Sequence, residues 1–311
     1  MTRGGRRRYD EVDGLLLLNK PAGMTSNRVL QKVRRLLNAK KAGHTGSLDP
    51  SATGMLPLCF GEATKVCAFL LDADKTYRVT ARLGSATSTG DADGGETIAT
   101  ADVPELSFDE WNEILQGFVG ESMQVPPMYS AIKQGGKRLY ELARKGETVE
   151  REPRPIRVNE ISLLEAAGTR LVFRVSCSKG TYIRVLVEDI ARAAGTVGHT
   201  ARLHRESVGD FDAADMVDLA AVETRADEDR GGLVASLLPP DVALAGMPEV
   251  SVVAEEALRF SGGQVLEVPP GASEGQVRVY GPDREFLGVG QLSASGALAP
   301  RRVFKTSEKT P

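Results

Sequence analysis

Four consecutive leucines, Leu15–Leu18, sit between Gly14 and Asn19-Lys20, and the chain then meets Pro21-Ala22-Gly23. A short apolar run closed by a Pro/Gly turn predicts a buried strand over Gly14–Lys20. The other dense apolar run, around Phe69–Leu71, is no longer, and neither approaches the roughly 20 residues that a bilayer-spanning helix needs. The chain therefore has to fold around short elements, and its 311 residues allow one large domain and one small one, each with a core. No membrane partner is expected. The basic start (Arg3, Arg6, Arg7, Arg8) runs into Asp10, Glu11 and Asp13 instead of an apolar segment, which argues against a secretory signal and for a cytoplasmic location.

Thr25 or Ser26 can cap a helix through about Leu37, with Val29, Leu30, Val33, Leu36 and Leu37 on one stripe and Arg28, Lys32, Arg34 and Arg35 on the other face. Gly43–Pro50 (GHTGSLDP) has two glycines and no period, so it reads as a polar loop, followed by the apolar stretch Gly54–Phe60. Ala63–Leu71 reads as helix, Lys75–Leu83 alternates as a strand, and Gly84–Glu96 reads as a polar loop. A helix is expected over Phe108–Phe118, a short basic helix over Gly136–Lys145, strands over Ile156–Leu164 and Leu171–Ser178, and an amphipathic helix over Tyr182–Ala194. Pro239-Pro240 and Gly246–Pro248 mark a linker, beyond which short strands, one helix and Gly/Pro turns suggest a small β-rich domain.

Three cysteines (Cys59, Cys67, Cys177) without C-x-x-C spacing argue against a disulfide framework and a zinc site; Cys59 and Cys67 read as small buried apolar groups. The net charge of −3 is unevenly spread. Residues 1–50 hold eleven Lys/Arg against four Asp/Glu, and 206–240 hold nine acids against two bases. Residues 131–160 and 170–205 are again basic, so one face of the molecule suits phosphates.

The residue that most invites chemistry is Asp49. Pro50 fixes its own φ and biases Asp49 toward extended geometry, so the carboxylate direction is defined. Such a group can be a nucleophile or general base, or it can merely close the loop as an Asx-turn. Tyr77 on its alternating strand reads equally as a core aromatic, Leu203 as core, Arg184 as a surface charge, and His44 as a local hydrogen-bonding group. His199 and His204 read as RNA contacts or surface groups, since no acid or cysteine lies at metal-ligand spacing. Asp91-Ala92-Asp93-Gly94 lacks the rest of a calcium loop and reads as a polar turn. No phosphate-binding glycine motif is present, so no nucleotide cofactor is expected.

Several segments occur together and in order: GLLLLNKP (Gly14–Pro21), GHTGSLDP (Gly43–Pro50), SATGMLP (Ser51–Pro57), KTY (Lys75–Tyr77), PPMYSAIK (Pro126–Lys133), CSKGTYIR (Cys177–Arg184), VEDI (Val187–Ile190) and ARLHR (Ala201–Arg205). Through them the chain resembles the bacterial tRNA pseudouridine-55 synthase family, the TruB type, over roughly residues 12–212. The resemblance implies an α+β fold, a mixed and largely antiparallel sheet with helices around a central cleft. It places a catalytic domain over 1–245 and a small PUA-like RNA-binding domain over 246–311. It implies Asp49 as the catalytic carboxylate, Tyr77 as the aromatic that stacks on the flipped uracil and assists proton removal at C5, and Arg184 as the basic partner of Asp49. Lys20 and Leu203 would line or buttress the pocket, and His44 would enter the space that the target base leaves. Residues 133–157, with Lys133, Lys137 and Arg138 at their start, correspond to an insertion that clasps RNA. The expected partner is the T-stem-loop of tRNA, the expected state a monomer, and no cofactor or metal is implied.

Two other readings are open at this point. An RNA chaperone would bind the same RNA with catalysis secondary, but it has no need of a carboxylate in an anionic groove. A nucleoside or sugar hydrolase could use Asp49, but that chemistry usually wants a second carboxylate as acid, and the sequence places none near the loop.

Overall fold

The computed structural model describes residues 9–93, 95–130, 132–268 and 274–305. The basic run Arg6–Arg8, Gly94 of the acidic turn, and the side chain of Arg138 lie outside this description. The chain opens with strand β1 (Gly14–Lys20), helix α1 (Ser26–Leu36), and strands β2 (Ala42–His44) and β3 (Thr53–Phe60). A 3-10 turn over Gly61–Val66 runs into α2 (Cys67–Asp72), then β4 (Lys75–Leu83), β5 (Ser85–Thr87), β6 (Thr97–Thr100) and α3 (Phe108–Gln116). Strands β7 (Gly120–Gln124), β8 (Lys133–Gln134) and β9 (Lys137–Arg138) precede α4 (Leu139–Ala143). The long pair β10 (Arg154–Ala167) and β11 (Arg170–Cys177) leads to α5 (Ile183–Ala193), β12 (Gly198–Val208), β13 (Val217–Asp218) and α6 (Leu219–Ala235).

Nine of these strands form one sheet in the order β13-β1-β3-β12-β4-β11-β10-β7, with β2 added beside β3. Only β1 with β13 and β3 with β12 run parallel, so the sheet is mixed and mostly antiparallel. The leucine run is continuous because both faces of β1 are covered. Leu16 and Leu18 pack with α1 and α6, whereas Leu15 packs with Val66 and Leu70 on the opposite face. On the β4–β11–β10 side, Val79, Ala81, Phe173 and Ile161 meet Trp111 of α3 and Leu186 and Ile190 of α5. The pairing of β3 with β12 is only two residues long, His204 with Thr53 and Arg205 with Gly54. Beside that short junction, residues 49–52 face residues 200–203 across a cleft.

Tertiary pairing changes four local expectations. The start of the polar loop is strand, because Ala42–His44 pairs with Leu58–Phe60 and satisfies an edge that composition does not advertise. The loop after β4 contains β5, paired with β6. The helix expected over Gly136–Lys145 shrinks to Leu139–Ala143, because Gly135 and Gly136, at φ +57° and +83°, form the tight turn of a hairpin that puts Lys137 and Arg138 on a strand. The helix expected from Ala63 begins as the 3-10 turn. His199 is no surface group: it is buried, and its Nδ1 donates to the Ser85 carbonyl at 2.8 Å. Cys59 is buried and Cys67 half-buried, and all three cysteines are free.

The C-terminal part forms its own sheet, in the order β14 (Glu249–Ser251), β16 (Gly275–Tyr280), β17 (Phe286–Leu292), β18 (Ala297–Val303), β15 (Leu266–Glu267), with α7 (Ala254–Ser261) against it. It also leans on the main sheet, since Val289 and Phe304 pack in one cluster with Leu15, Met55 and Val66.

Candidate active site

The connection from β2 to β3 is held by its backbone. Ser26, at the first turn of α1 and buried, donates its hydroxyl to the Leu48 carbonyl (3.1 Å) and accepts from the Leu48 amide (2.9 Å). The Gly23 amide donates to the Pro50 carbonyl at 2.8 Å, and the Ala52 amide to the Asp49 carbonyl at 3.1 Å. Lys20, fully buried at the end of β1, donates its ammonium to the carbonyls of Pro21 (2.8 Å) and Pro50 (3.1 Å). Gly46 turns the chain at φ +75°, a conformation that disfavours any side chain, and its carbonyl accepts from Arg205 Nη2 at 2.9 Å. The reading of Asp49 as a directed carboxylate thus has a physical basis: the backbone on both sides of it is tied to β1, α1 and β12.

The carboxylate itself meets Arg184, the second residue of α5. Arg184 Nε lies 3.0 Å from Asp49 Oδ2 and 4.0 Å from Asp91 Oδ2. The guanidinium is 7% exposed, and its remaining nitrogens donate to the carbonyls of Thr89 (2.8 Å) and Tyr129 (2.7 Å). It is therefore no surface charge; it is fixed by two loops and aimed at Asp49. Burial raises the Asp49 pKa; Arg184 opposes the rise, Asp91 adds to it and Lys20 opposes it. Burial also brings Lys20 down to about 8, against the pull of Asp49.

Tyr77, on β4, is buried with Leu48 and Ala52 in the cluster under the loop, and burial raises its phenol pKa while Arg205 works against the rise. Leu203, half-buried on β12 opposite Val79, lines the cleft with Asp49, Ser51, Asp91 and Arg184. His44 closes β2; its Nδ1 is buried without a partner among the described residues, and burial followed by Arg205 lowers its pKa. Asp49, Tyr77, Arg184, Lys20 and Leu203 thus converge, with His44 on the neighbouring strand. Lys133 and Lys137 stand apart, exposed on the β8–β9 hairpin, just beyond Tyr129.

Three residues of this site escaped the sequence reading. Asp91 was hidden in a turn, Ser26 read only as a possible helix cap, and Arg205 read only as the end of a motif. Arg205 gave no signal, because β12 shows no regular alternation of buried and exposed positions. Among the described residues no group of His, Cys, Asp or Glu stands where it could hold a metal ion, and no helix is long and apolar enough to cross a membrane.

Residues 34–183 match the family model for the TruB family pseudouridylate synthase N-terminal domain. Residues 184–245 match the tRNA pseudouridylate synthase B C-terminal domain, and 248–304 the C-terminal model of pseudouridine synthase II TruB. The tRNA pseudouridine synthase B of Nitrosococcus oceani is 48% identical over 304 residues, covering 98% of both chains. That of Dechloromonas aromatica is 49% identical over 303 residues, covering 97% of this chain and 99% of the relative. Among solved structures, one of an H/ACA RNP bound to a substrate RNA containing 2′-deoxyuridine aligns with TM-score 0.73 at 26% identity, over 96% of this chain and 87% of that one. A Cbf5-Nop10-Gar1 complex aligns with TM-score 0.73 at 28% identity, over 94% and 85%.

Proposed function

The chain belongs to the TruB family of pseudouridylate synthases, and from that premise we propose that it isomerises uridine 55 in the T-loop of tRNA, with Asp49 acting on the ribose. The reaction breaks C1′–N1 and makes C1′–C5. N1 gains a proton and C5 loses one, so the balance needs neither an oxidant nor water. Asp49 is the nucleophile at C1′ or the base toward a sugar proton, and both roles need it ionised. Arg184 favours that form and holds the carboxylate in one direction.

The uridine has to leave its stack first, at a cost of a few kcal/mol that stacking on an aromatic offsets in part. Tyr77 is the stacking partner and assists removal of the C5 proton, Leu203 and Lys20 shape the pocket, and His44 fills the vacated space in the RNA. The segment 133–157, through Lys133, Lys137 and Arg138, and the C-terminal domain over 246–311 grip the RNA outside the cleft. The protein works as a cytoplasmic monomer whose partner is the tRNA.

The observation that carries this reading is the 3.0 Å pair between Arg184 and Asp49 on a loop whose backbone is tied from β1, α1 and β12. The test is single-turnover treatment of an unmodified T-stem-loop RNA followed by nucleoside analysis, wild type beside Asp49→Asn. Pseudouridine at one loop position from wild type alone is expected. RNA bound by both proteins with pseudouridine from neither overturns the catalytic role, and free uracil would point to a hydrolase instead.

A further inference from the structure

Arg205 is 1% exposed in the middle of the sheet, and among the described residues no carboxylate pairs with it. Removing a guanidinium from water without a counter-charge is expensive, so each of its bonds needs accounting. Nε donates to the Met55 carbonyl on β3 at 2.7 Å, and Nη2 to the Gly46 carbonyl in the Asp49 loop at 2.9 Å. Tyr77 is the residue directly opposite Arg205 on β4, and the guanidinium opposes the rise that burial gives its phenol pKa.

Two glycines make room for this arrangement. A Cβ on Gly54, at φ +99°, would stand 2.2 Å from the Arg205 carbonyl oxygen, so β3 approaches β12 this closely only without a side chain there. A Cβ on Gly46 would stand 3.4 Å from Nη1. Gly54 thus lets β3 seat the β12 backbone at Arg205, while Gly46 lies within ordinary contact of the guanidinium.

We propose that Arg205 is a positioning residue of the reaction, facing Tyr77 across the strand pair and holding, through the Gly46 carbonyl, the turn that presents Asp49, so that the groups on either side of the uracil keep one spacing. This rests on the reading of Tyr77 and Asp49 given above. A phenol takes the C5 proton only as its phenolate, and the Arg205 cation opposite it favours that ionised form. The other groups that act on Tyr77 are Cys177 and Asp49, both of which raise its pKa. Those that feel Arg205 are Lys20, His44 and Lys75, all cationic when protonated.

The test is single-turnover pseudouridine formation at saturating T-stem-loop RNA across the pH range, for Arg205→Lys, Arg205→Gln, Tyr77→Phe and Tyr77→Phe/Arg205→Gln, with RNA affinity and melting temperature measured beside it. The rate in both Arg205 variants is expected to fall about 10- to 100-fold, because a small displacement of reacting groups costs that much. RNA affinity is expected to stay within about twofold of wild type. The rise in rate that follows ionisation of Tyr77 moves to higher pH in Arg205→Gln and stays in place in Arg205→Lys, which keeps the charge. The double variant is no slower than the slower of its two parents. Wild-type rate and pH profile in folded Arg205→Lys and Arg205→Gln overturn the proposal, as does a loss confined to RNA affinity. If Arg205→Gln does not fold, the Arg205→Lys rate decides. A wild-type rate in Tyr77→Phe instead overturns the reading of Tyr77, and the Arg205→Lys rate then decides the Asp49 arm alone.

Discussion

Asp49 is a carboxylate that its surroundings oppose and support at once. Burial favours the protonated acid, and Arg184 is the largest influence in the other direction. A raised carboxyl pKa means that the folded state binds this proton more tightly than the unfolded chain does. The stability gained from that proton is fully present below the unfolded pKa and is lost as pH rises through the folded value. Activity runs the opposite way, since both mechanisms need the ionised form. Arg184→Gln is therefore expected to slow the reaction and to move the acid limb of the rate profile to higher pH, read by single-turnover rates at several pH values. An acid limb that stays in place would show that the pair does not govern the ionisation. At this scale the sequence was legible where a motif surrounded the residue, as at Asp49 and Arg184. It was illegible where the role is a contact across strands: nothing near Arg205 in the chain announces Tyr77 or Gly46, which lie 128 and 159 positions away along the sequence.

At the scale of elements, a short continuous apolar run located β1, whose two faces are both covered, and amphipathic patterning located α1, β4, α3 and α5, each of which shows one buried face to a partner. It failed where pairing, not propensity, decides the conformation, at β2, β5 and the β8–β9 hairpin. The hairpin bears on the proposed function. It puts Lys133 directly across from Arg138, and Gln134 from Lys137, on a short projection bearing exposed lysines. Tyr129, a few residues before it, gives its carbonyl to Arg184. The projection and the Asp49–Arg184 pair are thus neighbours through the backbone. Replacing Lys133 and Lys137 by Gln is expected to weaken T-stem-loop binding and to reduce the slope of log affinity against log salt by about one for each phosphate that these lysines neutralise. An unchanged slope would place the hairpin away from the RNA.

At the scale of the molecule, the two sheets are joined by more than a linker. Phe304 is 4% exposed; its ring centroid lies 4.9 Å from that of Phe286, and Lys65 Nζ lies 5.3 Å from its centroid. Lys65 also donates to the Val303 carbonyl at 2.6 Å, and the Lys305 amide to Glu62 at 2.8 Å. Phe304→Ala is expected to destabilise the whole protein by about 3 kcal/mol, in the range for deleting a buried phenyl ring, read as a lower urea midpoint. Two separate unfolding transitions in the variant would show that the sheets melt independently. The sequence indicated a β-rich tail but not this contact, since aromatic residues near a terminus give no sign of what they cover.

The same contact has a temporal side. Leu15 leaves the ribosome 289 positions ahead of Phe304, yet they share one packed cluster. Until Phe304 has been made, the face of β1 that carries Leu15 lacks part of its cover. The first sheet of the nascent chain therefore waits, with an apolar seam open, for the second to arrive.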